Sequence, residues 1–356
     1  MEVYRSVSLI PWGKSMTGIN IDRASPSDVS GSRRIFMVGA TGTIGRATVK
    51  RLLDQGHEVT CFLRQNNKMA AKCESVHDHP RLTRLYGDIT DAASIVTDGF
   101  GDKCFDLVIS CLASRTGAPR DAWAIDYQAH CHLLKAAKAA GVKHFILLSA
   151  LCVQKPRLEF QHAKLAFEKA LIESGLIYSI IRPTAFFKSL SGQVERVKAG
   201  KSFLIFGDGC LTACKPISDR DLADFIVQCI HDESRWNRLL PIGGPGPAIT
   251  PRDQGDYLFS KLHLTPKFKP VPLWFLKAII GLLALGGRFV PRLTDHAELA
   301  RIGYYYATES MLVLDPETGL SSETLTPSFG GDTLFAHYDR LIRHDTAHER
   351  GEHSVF

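Results

Sequence analysis

Gly39, Gly42 and Gly45 stand three residues apart in the run Val38-Gly39-Ala40-Thr41-Gly42-Thr43-Ile44-Gly45, between an apolar strand-like segment and a helical one. A dinucleotide phosphate loop belongs at such a junction. Glycine lets the chain turn sharply and lets the backbone approach a pyrophosphate. The helix that follows offers unpaired N–H groups and the positive end of its dipole. Gly39, Thr41, Gly42, Thr43, Ile44 and Gly45 are therefore the expected cradle. The end of the next strand selects the nucleotide. An acid there would hold the ribose 2′-hydroxyl and repel a 2′-phosphate. This strand ends in Leu63-Arg64, and a guanidinium suits the phosphate, so NADPH is the expected cofactor. Asp88 is placed to meet the adenine, and Cys111, Ala113 and Ser114 lie along the expected cofactor path.

Chemistry is expected on a later helix, in the window Phe160-Gln161-His162-Ala163-Lys164. Short-chain dehydrogenases carry Tyr-x-x-x-Lys there, and the Tyr protonates a developing alkoxide. Phe160 has no proton to give, so carbonyl reduction by that route is disfavoured. Lys164 shares a helix face with position 160 and can still reach a cofactor, so it is the expected catalytic residue. Two readings stay open from these residues. One is a non-catalytic NADP-binding sensor or assembly factor. The other is a reductase of a conjugated C=C bond, where the proton goes to carbon and no phenol is needed at the usual place. Cys152, Tyr127 and water are alternative proton sources.

The elements that must hold these residues alternate along the chain. Strands are expected at 35–38, 58–63, 82–86, 106–110, 144–148, 178–181 and 239–242. Helices are expected at 45–55, 123–140 and 217–230, the last capped by Ser218, with another after Ala150 whose first turn holds Pro156. This is the pattern of an α/β fold: a Rossmann-like doubly wound parallel sheet with a smaller C-terminal substrate lobe. Residues 33–185, joined by 217–243, form the expected NADP-binding domain. Residues 186–216 and 244–345 form the substrate lobe, 1–32 a disordered extension and 346–356 a flexible tail.

Composition excludes several classes. The net charge of +6 on 356 residues is not gathered into a basic tract, so nucleic acid is not an expected partner. The nine cysteines are irregularly spaced, which reads as free thiols in a reducing compartment, with no metal site. Residues 271–290 are the most apolar stretch, but Lys277 and Arg288 bracket only ten apolar or glycine residues. A spanning helix needs about 20. A buried or interfacial helix is expected instead, which leaves peripheral membrane contact open. The acids Glu2, Asp22 and Asp28 make the first 32 residues a poor transit peptide, so a bacterial cytoplasm is preferred over a plastid stroma.

Longer strings carry a resemblance. Ser110-Cys-Leu-Ala-Ser-Arg-Thr-Gly117 with Asp121-Ala-Trp-Ala-Ile-Asp-Tyr127, Leu148-Ser-Ala-Leu-Cys-Val-Gln-Lys-Pro156, and Tyr178-Ser-Ile-Ile-Arg-Pro-Thr-Ala-Phe-Phe-Lys-Ser-Leu190 resemble the divinyl chlorophyllide 8-vinyl reductases. So do Phe206-Gly-Asp-Gly209, Ala213-Cys-Lys-Pro-Ile-Ser218, Leu240-Pro-Ile-Gly-Gly-Pro-Gly246 and Tyr305-Tyr-Ala-Thr-Glu-Ser-Met311. The resemblance covers about 34–340, and Phe160 agrees with that family's lack of the usual Tyr. It implies NADPH-dependent reduction of the 8-vinyl group of a divinyl chlorophyllide, or its protochlorophyllide, to ethyl in chlorophyll or bacteriochlorophyll synthesis. An isoflavone-reductase-like ene-reductase acting on a smaller phenolic is the further alternative. A flat tetrapyrrole wants aromatic walls, for which Phe160, Phe186, Phe187 and Trp123 are candidates. Its propionate wants a cation, and Lys188, Arg157 and Lys215 are candidates.

Overall fold

A computed structural model describes residues 31–64, 79–287 and 290–343. Residues 1–30 of the expected extension 1–32, the expected tail 346–356, and Cys73 lie outside the described residues. Seven parallel strands form the central sheet: β1 (Arg34–Val38), β2 (Glu58–Leu63), β3 (Leu82–Tyr86), β4 (Leu107–Ser110), β5 (His144–Leu148), β6 (Ile177–Pro183) and, after a short β7 (Phe203–Phe206) outside the sheet, β8 (Arg238–Ile242). Their order is β3-β2-β1-β4-β5-β6-β8. The chain thus winds one way from β1 and then the other. The crevice between β1 and β4, at the carboxyl ends of the strands, is where a doubly wound fold takes a ligand.

The burial of β1 shows why its segment is almost wholly apolar. Ile35 and Met37 enter one core while Phe36 and Val38 enter the other, as the two-residue period of a strand requires. The first core lies under α1 (Thr43–Asp54), which meets the later helix Asp219–Gln228 through Leu52, Leu53, Leu222 and Ile226. The second is aromatic. Phe36 stacks on Phe100 with ring centroids 4.4 Å apart and meets Phe105 edge-on at 5.2 Å. Truncating Phe36 to Ala would cost about 4 kcal/mol.

The expected helix at 123–140 is not regular. A short α-helical turn, Pro119–Ala122, runs into a π-helical stretch, Trp123–Ala129, and then into α2 (His130–Ala139). The helix after β5 also starts later than the position of Pro156 implied. A 3-10 turn, Leu151–Gln154, intervenes, and α3 spans Glu159–Ile172. Pro156 forces Lys155 away from helical backbone (φ −134°, ψ 68°), which closes the 3-10 turn rather than opening the helix. Gln161 then caps α3, its Oε1 accepting from the N–H groups of Arg157 (2.7 Å) and Leu158 (3.0 Å). The helix Asp219–Gln228, hereafter α4, is capped as expected: Ser218 Oγ accepts from Asp221 N at 2.9 Å.

A third core gathers Phe187, Val197, Phe203, Phe259 and Tyr338 from outside the sheet. It is built on the parallel pair β7 and β9 (Phe268–Val271), with α5 (Pro251–Lys261) and a C-terminal helix, Leu334–Arg343. Between them run α6 (Leu273–Gly286) and α7 (Pro291–Thr308). No residue of α6 is buried, so the expectation of a buried helix there is corrected in favour of an exposed one. Trp274 is 68 % and Leu282 71 % exposed. Among the described residues no helix is long and apolar enough to cross a membrane.

Candidate active site

The glycine loop is tightly constrained at two of its three glycines. Gly39 has φ +77°, and a Cβ there would lie 2.3 Å from the carbonyl carbon of Cys111. A Cβ on Gly45 would lie 2.1 Å from Gly39 O. Both glycines are thus forced by close backbone approach, which pulls the loop after β1 against the loop after β4. Over Gly42 there is room, its nearest neighbour being Gly39 O at 3.5 Å. Gly42 is also the N-cap of α1 and gives it no side-chain cap, and the first turn holds no acid. The first N–H groups of α1 are thus left without a side-chain cap. Ile44 is buried beneath them.

A cleft runs from this loop between β2 and β3, bordered by Gly39, Thr41, Arg64, Gly87, Ile89 and Leu112. Arg64 sits at its rim, exposed. Asp88 is turned into its own loop, Oδ1 accepting from Thr90 N (2.8 Å) and Thr90 Oγ (2.7 Å). Those bonds hold its carboxyl below the usual range, with Arg64 adding to the effect. Cys111 turns its thiol toward Thr48 of α1, and burial pushes it up to about 12. Ala113 is exposed, and Ser114 is buried with its N–H donating to Asp126 Oδ1 at 3.3 Å.

Lys164 projects from α3 and ends on Asp126, Nζ to Oδ1 at 2.9 Å. The Asp126 side chain is fully buried, and that of Lys164 is 12 % exposed. Asp126 Oδ2 has no hydrogen-bond partner among the described residues. Asp126 lies in the π-helical stretch, whose widened turn sets its carboxylate beside Ser114 and Lys164. Beneath it His130 joins the end of β4 to the helix. Its Nδ1–H donates to Ile125 O (2.8 Å) and its Nε2 accepts from Ser110 Oγ (2.8 Å), a neutral imidazole. Burial, assisted by the Lys164 ammonium, lowers its pKa to about 4.

The substrate-facing candidates separate. Phe160 is half-buried beside Gly117, and Phe186 is half-buried against the first core. Phe187 is corrected: it is 3 % exposed in the third core, against His337, because the short helix Phe187–Leu190 turns its first side chain inward. Lys188 reaches Thr43 Oγ1 at 3.4 Å, which puts its ammonium at the glycine loop. Arg157 pairs with Glu309 at 2.6 Å, and Lys215 is buried with Nζ donating to Thr326 O at 3.3 Å. Trp123 donates from Nε1 to Glu159 at 2.8 Å. Sequence reasoning missed Asp126 as the partner of Lys164. Asp126 stands 38 residues from Lys164, and no spacing rule joins them.

An NAD(P)H-binding family model matches residues 39–233. The chain is 47 % identical to a chloroplastic divinyl chlorophyllide a 8-vinyl-reductase of Oryza sativa subsp. indica, over 90 % of this chain and 82 % of that protein. It is 46 % identical to the Arabidopsis thaliana protein of the same name, over 98 % and 87 %. The chain belongs to the divinyl chlorophyllide a 8-vinyl reductase family. As a member of that family it binds a nicotinamide dinucleotide and is an oxidoreductase of chlorophyll biosynthesis. The relatives' names also overturn the expected bacterial cytoplasm, since both are chloroplastic. Among solved structures, an NADPH-dependent quinone oxidoreductase of Escherichia coli complexed with NADPH superposes with a TM-score of 0.61 at 16 % identity, over 86 % of this chain and 99 % of that one. At that identity the likeness speaks for the fold.

Proposed function

We propose that this reductase uses NADPH to convert the 8-vinyl group of divinyl chlorophyllide, or its protochlorophyllide, to ethyl, and that it does so in a plastid. One observation carries the reading of the chemistry: the helix keeps Lys164 and replaces the usual phenol by Phe160. A site for carbonyl reduction would lose its acid by that change. A C=C reductase does not need an acid aimed at oxygen. The reduced nicotinamide supplies a hydride when bound.

The chain's own groups do the rest. Gly39, Thr41, Gly42, Thr43, Ile44 and Gly45 cradle the pyrophosphate, and Lys188, close to Thr43, adds a cation there. Arg64 meets the ribose 2′-phosphate and so favours NADPH. Lys164, held by Asp126, orients the nicotinamide ribose, with Ser114 and the Cys111–Ala113 loop alongside. Phe160 and Phe186 offer the apolar wall for the macrocycle. Incubation with NADPH and divinyl chlorophyllide should blue-shift the Soret band. No shift with intact NADPH binding would instead favour a nucleotide sensor, and a shift with phenolics alone a smaller-substrate ene-reductase.

We propose also that α6 rests on a bilayer surface. Its exposed Trp274, Phe275, Leu282 and Leu285 form an apolar flank, and the exposed Lys267 and Lys269 precede it. Deleting 273–287 should move the protein from a membrane pellet to the supernatant. An unchanged distribution would refute the contact.

A further inference from the structure

Position 160 is where a phenol would be expected, and Phe160 carries none. The fold brings a phenol to the same neighbourhood from the far end of the chain. Helix α7 crosses the loop after β4 and the start of α3. A Cβ placed on Gly117 would lie 2.7 Å from Ile302 Cδ1 and 3.6 Å from Phe160 Cδ1, so Ile302 and Phe160 flank the same glycine. Tyr306 is one helical turn beyond Ile302 on the same face. Its hydroxyl is 3.8 Å from Cys152 Sγ, within an apolar cluster that includes Leu151, Ala150 and Phe160.

Its neighbours fix that position. The Tyr305 hydroxyl is bonded to the carbonyl oxygens of Cys152 (3.0 Å) and Lys155 (3.1 Å), which fastens α7 over the 3-10 turn. Lys155 and Arg157 both pair with Glu309 at the end of α7. Lys164 is close enough to Cys152 for its charge to be felt by the thiol. Cys152 is 1 % exposed, and the Tyr306 side chain is partly buried beside it.

We propose that Tyr306 is the catalytic acid of the reduction, giving its hydroxyl proton to the carbon that becomes electron-rich; this rests on the C=C reductase reading above. The vinyl group accepts a hydride from the reduced nicotinamide at one carbon, and its π pair moves to the other carbon and the macrocycle. The O–H bond of Tyr306 then breaks as that pair forms the second C–H bond. The phenolate recovers a proton from water. One hydride and one proton are consumed, and vinyl becomes ethyl. Burial and the adjacent thiol hold the Tyr306 hydroxyl well above the ordinary phenol range, so the donor is fully protonated at neutral pH.

The test is Tyr306→Phe, which removes one oxygen and keeps the ring in the cluster. The expected result is a kcat lower by about 100-fold or more, the range of a lost general acid. Pigment affinity, read by fluorescence quenching without nicotinamide, should stay within about twofold, because the ring keeps its place in the cluster. Cys152→Ala should keep most of its turnover. A wild type that reduces divinyl chlorophyllide beside an equally active Tyr306→Phe would overturn the role of Tyr306 alone. So would loss of pigment binding in step with turnover, or a Cys152→Ala variant as inactive as Tyr306→Phe. A wild type that leaves the pigment unreduced would overturn the C=C reading and the proposal together.

Discussion

Lys164 donates from Nζ to Asp126 Oδ1 at 2.9 Å, and that pair ties α3 to the π-helical stretch in front of it. The two charges are nearly out of water, so each depends on the other. Lys164→Ala should therefore lose most turnover and also about 3 kcal/mol of stability, because it strands the Asp126 carboxylate. Lys164→Ala with Asp126→Ala should recover stability without recovering turnover. Urea melts of the two single variants and the double variant, read beside kcat, check this. A double variant as active as wild type would remove Lys164 from the mechanism.

Arg64, exposed at the rim of its cleft, is the residue by which the proposed reading chooses between cofactors. Arg64→Ala should raise the KM for NADPH by roughly tenfold or more, the value of a charge-assisted contact to phosphate, and leave that for NADH little changed. Equal effects on the two cofactors would deny a contact with the 2′-phosphate.

Gly39 cannot carry a side chain without moving the Cys111 peptide, 2.3 Å from where its Cβ would be. Gly39→Ala should cost about 2 kcal/mol from the left-handed backbone and the clash, and should abolish NADPH binding. Calorimetric titration together with a thermal melt would show it. Wild-type affinity in the variant would contradict the close approach of the two loops.

Three buried histidines make the fold acid-sensitive. His57, His130 and His144 are lowered to about 4 from an ordinary value of 6.5, chiefly by burial. Between those values the unfolded chain takes up protons that the folded chain refuses. Their stabilising effect is therefore whole above pH 6.5 and drains away as the pH falls toward 4. The urea midpoint should be lower at pH 5.0 than at pH 7.5. Equal midpoints would mean that the imidazoles are protonated in the folded protein.

The sequence by itself determined the sheet and its glycine loop. Apolar runs such as Ile35-Phe36-Met37-Val38 can be satisfied only where both faces are covered, and Gly39 and Gly45 permit the close backbone approaches seen at Cys111 and within the loop itself. Both signals are local, so they are legible in order along the chain. Phe160 beside Lys164 was equally legible as a departure from carbonyl chemistry. Tertiary structure alone decided the rest. It turned Phe187 into a core, sent Lys188 to Thr43 and spent Arg157 on Glu309, because burial and pairing depend on partners far away in sequence. It set Asp126 against Lys164 through a π-helical turn that no residue pattern marks. And it returned a phenol, Tyr306, to the cluster around Phe160 by laying α7 across residues some 150 positions earlier. Contacts of that range are fixed by how helices pack on the finished sheet, which spacing along the chain does not encode.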